Sequence, residues 1–244
     1  MQIERIMKFL KAVAANNNRD WFHEHKAEFD ACKADFDEAV AELIAELSKF
    51  DATVANVTPK DAVYRFYRDV RFSADKSPYK RHFGAYISAK GKKSLHAGYY
   101  LHIQPGSCMI SAGAYYLPTN ILTSCRNAIM GDIDGWRKCV DNREFIHYFG
   151  YPNDSEWQTK TESGDDMDGI SERGFGIARL KTCPAGFPRN YEHIEYLRMK
   201  DYCVWRKVDE AFFADRDWAK KAARILKVAK PMMDFTNDVI DDYE

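Results

Sequence analysis

The chain contains 244 residues, of which 45% are hydrophobic and 30% are charged. This length fits one domain, and this hydrophobic content excludes intrinsically disordered and low-complexity chains. The 36 basic and 37 acidic residues nearly cancel, so the molecule as a whole has no general attraction to nucleic acids or anionic membranes. We therefore expect a single domain over residues 1–244.

The first fifty residues have the spacing of helices. Apolar residues recur every three or four positions from Ile3 to Val13 and again from about His25 to Phe50. This spacing predicts two amphipathic helices that form a hairpin. The asparagines at positions 16–18 favour helix caps, so we expect them to end the first helix and begin the next one.

The middle of the chain has the alternation of strands. Within residues 62–72 (AVYRFYRDVRF), the apolar parity holds Tyr64, Phe66, Val70 and Phe72 and the other parity holds Arg65, Tyr67, Asp69 and Arg71, but Arg68 falls on the apolar parity. Three further candidate strands follow: HFGAYISA, GYYLHIQ and CMISAGAYY. The turn-forming segments KGKKS and PGS separate them, and such short connections predict a largely antiparallel sheet.

The last part of the chain is predicted to be mainly helical. Helical patterns cover residues 118–149, 191–200 and about 217–240, with a strand at 201–208, and Pro231 should kink or split the last helix. Residues from about 150 to 175 show no period and are predicted to form an irregular acidic loop or lobe, with Asp165, Asp166 and Asp168. Together, the elements predict an α+β fold with an N-terminal helical hairpin, a central largely antiparallel sheet and C-terminal helices.

The sequence predicts a cytoplasmic protein without a membrane segment. Charged residues interrupt the first helix, which excludes a signal peptide, and no stretch approaches 18 apolar residues. The six cysteines are scattered without a C-x-x-C pair, which favours reduced thiols in the cytoplasm. His23 and His25 would lie on nearly opposite sides of a helix, so we predict no metal site, and no motif predicts a cofactor.

The densest cluster of charge lies between residues 60 and 93, where ten lysines or arginines accompany three aspartates. Arginine forks bind phosphate or carboxylate bidentately, so the cluster predicts a site for an anionic small molecule. The candidate ligand-binding residues are Arg65, Arg68, Asp69, Arg71, Lys76, Tyr79 and Lys80. His102 lies between Tyr100 and Gln104 on one strand face and is the candidate for proton transfer, should the site be catalytic.

Two alternatives fit the same cluster. The surface could bind nucleic-acid phosphates, with Tyr67 or Tyr79 stacking on bases. The cluster could also be an internal ion-pair network that joins the sheet to the helices, in a structural or interaction protein. The common nucleotide-binding and hydrolase motifs are absent, so motifs do not decide between these hypotheses.

Four segments resemble a known family: NNNRDWF (16–22), RFYRDVRFSADKSPYKRHFGAY (65–86), GYYLHIQPG (98–106) and LKTCPAGFPRNYEHIEYLRMKDY (180–202). In this order they are similar to a microbial family catalogued as domain of unknown function 2461. The string R-x-Y-R-D-x-R-F-S-x-D-K-x-P-Y-K is long enough to be specific. The resemblance implies one intact family member rather than a fusion, and it assigns no activity. Two departures are Ala185, where a basic residue is usual, and Asn190 with Tyr191, where Asp-His is usual.

Overall fold

The computed structural model describes residues 1–71, 73–152 and 170–243. Its N-terminal helices are α1 (Ile3–Ala15), α2 (Arg19–Glu24), α3 (Lys26–Leu47) and α4 (Pro59–Ala62), with a 3-10 turn at Ala52–Val54. Asn16 caps the end of α1, and the side chain of Asn18 accepts a hydrogen bond from the Trp21 N–H at the start of α2. The predicted helical hairpin is confirmed, because α1 packs against α3 with the short α2 between them.

The sheet has five described strands: β1 (Phe83–Ile87), β2 (Gly98–Ile103), β3 (Met109–Ala114), β4 (Arg173–Phe175) and β5 (Tyr202–Lys207). Their order is β1-β2-β3-β5-β4, and every neighbouring pair is antiparallel, as predicted. Strand β4 lies at the end of the stretch that was predicted to be irregular. The predicted acidic run of Asp165, Asp166 and Asp168 lies outside the described residues, so the acidic loop stays a prediction.

The C-terminal helices confirm the α+β class. They are α5 (Thr119–Gly131), α6 (Ile133–Val140), α7 (Arg143–Phe149), α8 (Ile194–Arg198), α9 (Glu210–Ala214), α10 (Trp218–Lys227) and α11 (Lys230–Ile240). Pro231 lies in the first turn of α11, where its missing N–H leaves no hydrogen bond unmade, so the predicted split is present. In the described part of the chain, no helix has the length and apolarity needed to cross a bilayer.

The two faces of the sheet differ in chemistry. Because side chains alternate along a strand, Leu101, Ile110 and Val204 point to one face, where they are fully buried in the main hydrophobic core. Helices α3, α10 and α11 contact the strands and belong to this core. The other face carries polar residues such as Tyr100 and Ser111, and we call it the polar face. It holds only a small apolar cluster among the described residues.

The predicted strand at residues 62–72 is wrong as a regular strand. The segment pairs with the sheet only through isolated bridges, from Val63 to Ala85 and from Tyr67 to Tyr79. Phe72, the last residue of the prediction, lies outside the described residues. The segment is therefore an irregular edge beside β1 rather than a sixth strand.

The period-two pattern also fails inside this segment. Phe66 packs in the core with its ring 5.0 Å from that of Phe83. Tyr64 has the same parity, but its ring contacts Tyr100 on the polar face, with 6.5 Å between the ring centroids. The backbone therefore turns between positions 64 and 66, and this turn places Tyr64 on the polar face.

Candidate functional site

A cavity of about 430 Å³ lies on the polar face, and we call it the polar-face cavity. Its volume falls within the range of small-molecule sites. Strands β1 to β3, together with Tyr64, Lys80 and His82, supply most of its wall. The polar lining residues are Tyr64, Lys80, His82, Tyr86, Lys92, Ser94, Tyr100, Ser111, Tyr115 and Cys203.

The lining of the polar-face cavity is positively charged. Lys80 and Lys92 contribute to the wall, and the described lining residues include no aspartate or glutamate. The Lys92 ammonium donates hydrogen bonds of 3.0 Å to the carbonyl oxygens of Lys60 and Val63, which fix its position. The Lys80 ammonium lies 5.5 Å from the centroid of the Tyr64 ring, a cation–π distance. Two cationic side chains therefore line the same cavity.

His82 is a buried polar group with an unmet hydrogen-bonding requirement. The residue is only 4% exposed, and its ring lies 4.4 Å from the ring of His102. Among the described residues, its Nδ1 atom has no hydrogen-bond partner. Burial, and then the neighbouring His102, lower the pKa of His82 well below its ordinary value, so the ring is neutral at pH 7. Buried polar atoms are normally paired, so a ligand in the cavity is a natural partner for this nitrogen.

A chain of hydrogen bonds runs along β2 beneath the cavity. The Tyr100 hydroxyl lies 2.9 Å from Nδ1 of His102, and Nε2 of His102 lies 2.9 Å from Oε1 of Gln104. Because an amide oxygen can only accept, Nε2 donates to Gln104 and Nδ1 accepts from the Tyr100 hydroxyl. His102 is fully buried and is not part of the cavity wall, so it reaches the cavity through Tyr100.

A glycine makes room for this hydroxyl. Gly84 pairs with His102 in the register of β1 and β2. A Cβ atom at Gly84 would lie 2.8 Å from the Tyr100 hydroxyl oxygen, which is too close for a non-bonded contact. A side chain at this position would therefore displace the hydroxyl that faces His102.

Arg68, the residue that broke the sequence pattern, is enclosed by its own loop. Its side chain is 6% exposed and donates to Asp75 at 2.6 Å and to the Ser77 carbonyl oxygen at 3.1 Å. Hydrogen bonds from Ser77 and the charge of Arg68 lower the pKa of Asp75 to about 2. Asp75 and Ser77 thus enclose the guanidinium of Arg68.

The other predicted ligand-binding residues differ in whether they line the polar-face cavity. Arg71 forms a bidentate exposed ion pair with Asp69, and the Lys76 ammonium donates to the Val70 carbonyl oxygen at 3.0 Å. Arg65 is exposed. Among the residues predicted from the sequence, Lys80 lines the polar-face cavity, whereas Arg65, Asp69, Arg71 and Lys76 do not.

A second hollow of about 530 Å³ lies between α2 and a wall that includes Tyr67, Arg68, Pro78 and Tyr79. Tyr79 is buried and stacks on Phe22 with 3.9 Å between the ring centroids. Arg19, His23 and Lys26 complete the basic side of this hollow, which we call the α2 groove. Of the seven predicted residues, Lys80 lines the polar-face cavity, Arg68 and Tyr79 line the α2 groove, and the other four line neither, so the cluster is not gathered at one site.

Sequence reasoning missed His82, Lys92 and Tyr64 as lining residues. Lys92 belongs to the basic segment, but its sequence distance from Lys80 hid their common cavity. A signal for the cavity was present in the small residues Gly98, Ser111 and Gly113, which share the polar face. Small residues at paired positions of neighbouring strands leave a space that bulky residues would fill.

Comparison with known proteins gives one match. A family model described as "Conserved hypothetical protein (DUF2461)" matches residues 5–235, a range that contains every lining residue of the polar-face cavity. No curated protein and no solved structure matches the chain.

Proposed function

The chain belongs to the DUF2461 family, and we propose that it binds a small anionic molecule, bearing a phosphate or a carboxylate, in the polar-face cavity. The observation that carries the proposal is the presence of two cationic side chains, Lys80 and Lys92, in the wall of one cavity. Charge-assisted hydrogen bonds from ammonium groups to oxyanions are stronger than neutral ones. Of the ligand-binding residues predicted from the sequence, the proposal retains Lys80.

The neutral lining residues support an organic anion rather than a bare ion. Tyr64, Tyr86, Tyr100 and Tyr115 place four aromatic rings around the cavity, and such rings provide apolar surface with a polar end. His82 supplies a buried nitrogen without a hydrogen-bond partner in the described part of the chain, and this nitrogen can donate to or accept from a ligand oxygen. A ligand that joins an aromatic ring to a phosphate or carboxylate group would contact both the tyrosine rings and the lysine ammonium groups of the wall.

We expect the wild-type protein to bind phenyl phosphate, with calorimetric titration as the measurement. The Lys80→Met and Lys92→Met variants should each bind about tenfold more weakly, because each loses a charge-assisted interaction of about 1.5 kcal/mol. Methionine keeps most of the length and apolar volume of the lysine stem. The double variant should lose about a hundredfold in affinity if the two lysines act independently.

The matched control is Lys93→Met, because Lys93 is exposed and does not line the polar-face cavity. Its affinity for phenyl phosphate should equal that of the wild-type protein. Benzoate and inorganic phosphate in the same titration separate carboxylate from phosphate preference. The proposal fails if the wild-type protein binds none of the three anions, or if the two lysine variants bind as well as Lys93→Met.

The enclosed guanidinium of Arg68 favours a second candidate role, which is structural. In this role its hydrogen bonds to Asp75 and Ser77 stabilise the fold, and we call these bonds the clip. We expect Asp75→Ala to destabilise the protein by about 1–3 kcal/mol, because it removes an acceptor from a buried guanidinium and from the Ser77 N–H. Asp69→Ala removes exposed contacts with Arg71 and should unfold with the wild-type midpoint in urea. Equal midpoints for both variants would exclude the clip.

The remaining predictions from the sequence stay proposals. The nucleic-acid alternative would use the α2 groove, where Tyr67 is 51% exposed beside Arg19 and Lys26. All six cysteines are free thiols, which supports our proposal of a reducing, cytoplasmic location.

A further inference from the structure

We propose that Tyr100 is a catalytic residue of the polar-face cavity, activated by His102 as its proton acceptor, with Gln104 holding the imidazole in position. This inference rests on the proposed binding function for its substrate, an anionic molecule with a hydroxyl group. The geometry that points to it is the run of two 2.9 Å hydrogen bonds from Tyr100 through His102 to Gln104. A reactive hydroxyl, a base and a group that orients the base are the three parts of a nucleophile-activating triad.

The direction of the hydrogen bonds is the one that such a triad needs. Gln104 fixes the proton of His102 on Nε2, so Nδ1 presents its lone pair to the Tyr100 hydroxyl. His102 is fully buried, whereas Tyr100 lines the cavity, so the tyrosine hydroxyl connects the base to a ligand. His102 and Gln104 are therefore positioning residues, and Tyr100 is the group that contacts the substrate.

The proposed step is a coupled transfer of two protons. The O–H bond of the substrate hydroxyl breaks, and its proton passes to the oxygen of Tyr100. At the same time the original Tyr100 proton passes to Nδ1 of His102, which becomes an imidazolium. The electron pair of the broken bond stays on the substrate oxygen as an alkoxide, near the ammonium groups of Lys80 and Lys92. The total charge is unchanged, and no oxidant or reductant is needed.

Two neighbouring tyrosines provide an internal reference. Tyr64 and Tyr115 line the same cavity, and burial raises the pKa of both phenols above its ordinary value. Tyr100 is therefore expected to differ from them in reactivity because it faces a base. The difference can be measured without knowing the natural substrate, by a reagent that forms a covalent bond with an activated phenol.

The test is labelling by benzenesulfonyl fluoride, an uncharged reagent that does not depend on the lysines. The Tyr100 oxygen forms a bond to sulfur, fluoride leaves, and His102 takes the phenolic proton. Peptide mass spectrometry should show Tyr100 labelled at least about tenfold faster than Tyr64 and Tyr115 at about pH 7.5. From there to about pH 10, the Tyr100 rate should rise by less than about threefold, whereas the reference rates should rise by about a hundredfold.

The His102→Gln variant should lower the Tyr100 rate at least about tenfold at about pH 7.5 and give Tyr100 the steep pH profile of the references. The rates of Tyr64 and Tyr115 report that the cavity of the variant is intact. Gln104→Leu leaves the imidazole in place and should cause a smaller loss at Tyr100.

The wild-type pH profile requires no variant, so the inference can fail even if His102→Gln does not fold. It is overturned if wild-type Tyr100 reacts no faster than Tyr64 and Tyr115, or if its rate rises with pH as steeply as theirs. It is also overturned if a folded His102→Gln variant labels Tyr100 at the wild-type rate. None of these outcomes bears on phenyl phosphate binding, so failure of the triad and failure of anion binding are distinguishable.

Discussion

The Gly113→Ala variant is expected to lose about 4 kcal/mol of unfolding free energy. Gly113 lies in β3 with a backbone φ of +128°, a region that is unfavourable for residues with a side chain. A Cβ atom there would lie 2.1 Å from the carbonyl oxygen of Tyr202 in the neighbouring strand β5. Strain in the backbone and overlap with a strand that cannot move away both destabilise the variant.

Urea unfolding measures this loss, and Gly131→Ala provides the control. Gly131 is the last residue of α5, and a Cβ atom there would contact nothing within 4 Å. Alanine at this position should leave the stability unchanged or raise it by up to about 1 kcal/mol, because it restricts the unfolded chain. If Gly113→Ala were as stable as Gly131→Ala, the close approach of β3 and β5 at the cavity wall would be contradicted.

The second large effect is a pH dependence of stability that comes from Asp201. Its carboxylate is buried at the start of β5 and accepts hydrogen bonds from the backbone N–H groups of Ile177, Ala178 and Cys203. Burial nevertheless raises the pKa of Asp201 to about 6, from 3.8 without the surrounding protein. The folded state thus holds its proton more tightly than the unfolded state does.

The sign of the effect follows from this order of pKa values. The contribution of the protonated Asp201 carboxyl to the free energy of unfolding is complete below about pH 4, where the folded and unfolded states are both protonated. This contribution is lost as the pH rises to about 6 and above. The loss amounts to about 3 kcal/mol for a pKa difference of about two units. The Asp201→Asn variant cannot ionise there, so its stability should lack this decrease.

We therefore expect the difference in unfolding free energy between the wild-type protein and Asp201→Asn to change by about 3 kcal/mol between about pH 4 and pH 7, in favour of the variant. Urea unfolding at several pH values gives this difference. A change in favour of the wild-type protein would mean that the three N–H donors stabilise the carboxylate by more than burial destabilises it.

The long helices were predictable because their signal is long and local, whereas the short helices α4 and α9 were not predicted. Residues 26–47 repeat their apolar positions over many turns, and the asparagines at 16–18 provide caps. The strands β1, β2, β3 and β5 were also predicted, because short alternating runs lay between clear turn signals. Strand β4 was missed, since three residues are too few to show a period.

The edge segment at residues 62–72 shows where the sequence pattern misleads. Its residues alternate as a strand would, but a turn of the backbone places Tyr64 and Phe66 on opposite faces of the sheet. Strand propensity depends on neighbours that the local sequence does not contain. Arg68, the exception to the alternation, has a buried side chain, and it forms an ion pair with Asp75, seven residues further along its own loop.

The candidate site was predictable only in part, because it is assembled from distant positions. Lys80 was singled out by the basic cluster, and His102 by its place between Tyr100 and Gln104. Lys80, Lys92 and His82 line the same cavity because of the sheet register and the path of the backbone beside β1. Neither can be read from residue spacing, whereas the alternation that brings Tyr100, His102 and Gln104 together is local to one strand.

The central claim, that the polar-face cavity is the anion site, is tested most directly by locating an oxyanion in a crystal. Tungstate is suitable because its tetrahedral shape resembles phosphate and its anomalous scattering identifies it. We predict an anomalous peak in the polar-face cavity, within about 4 Å of the ammonium nitrogen of Lys80 or Lys92. A peak confined to the α2 groove or to the exposed Arg65 and Arg71 would contradict this account.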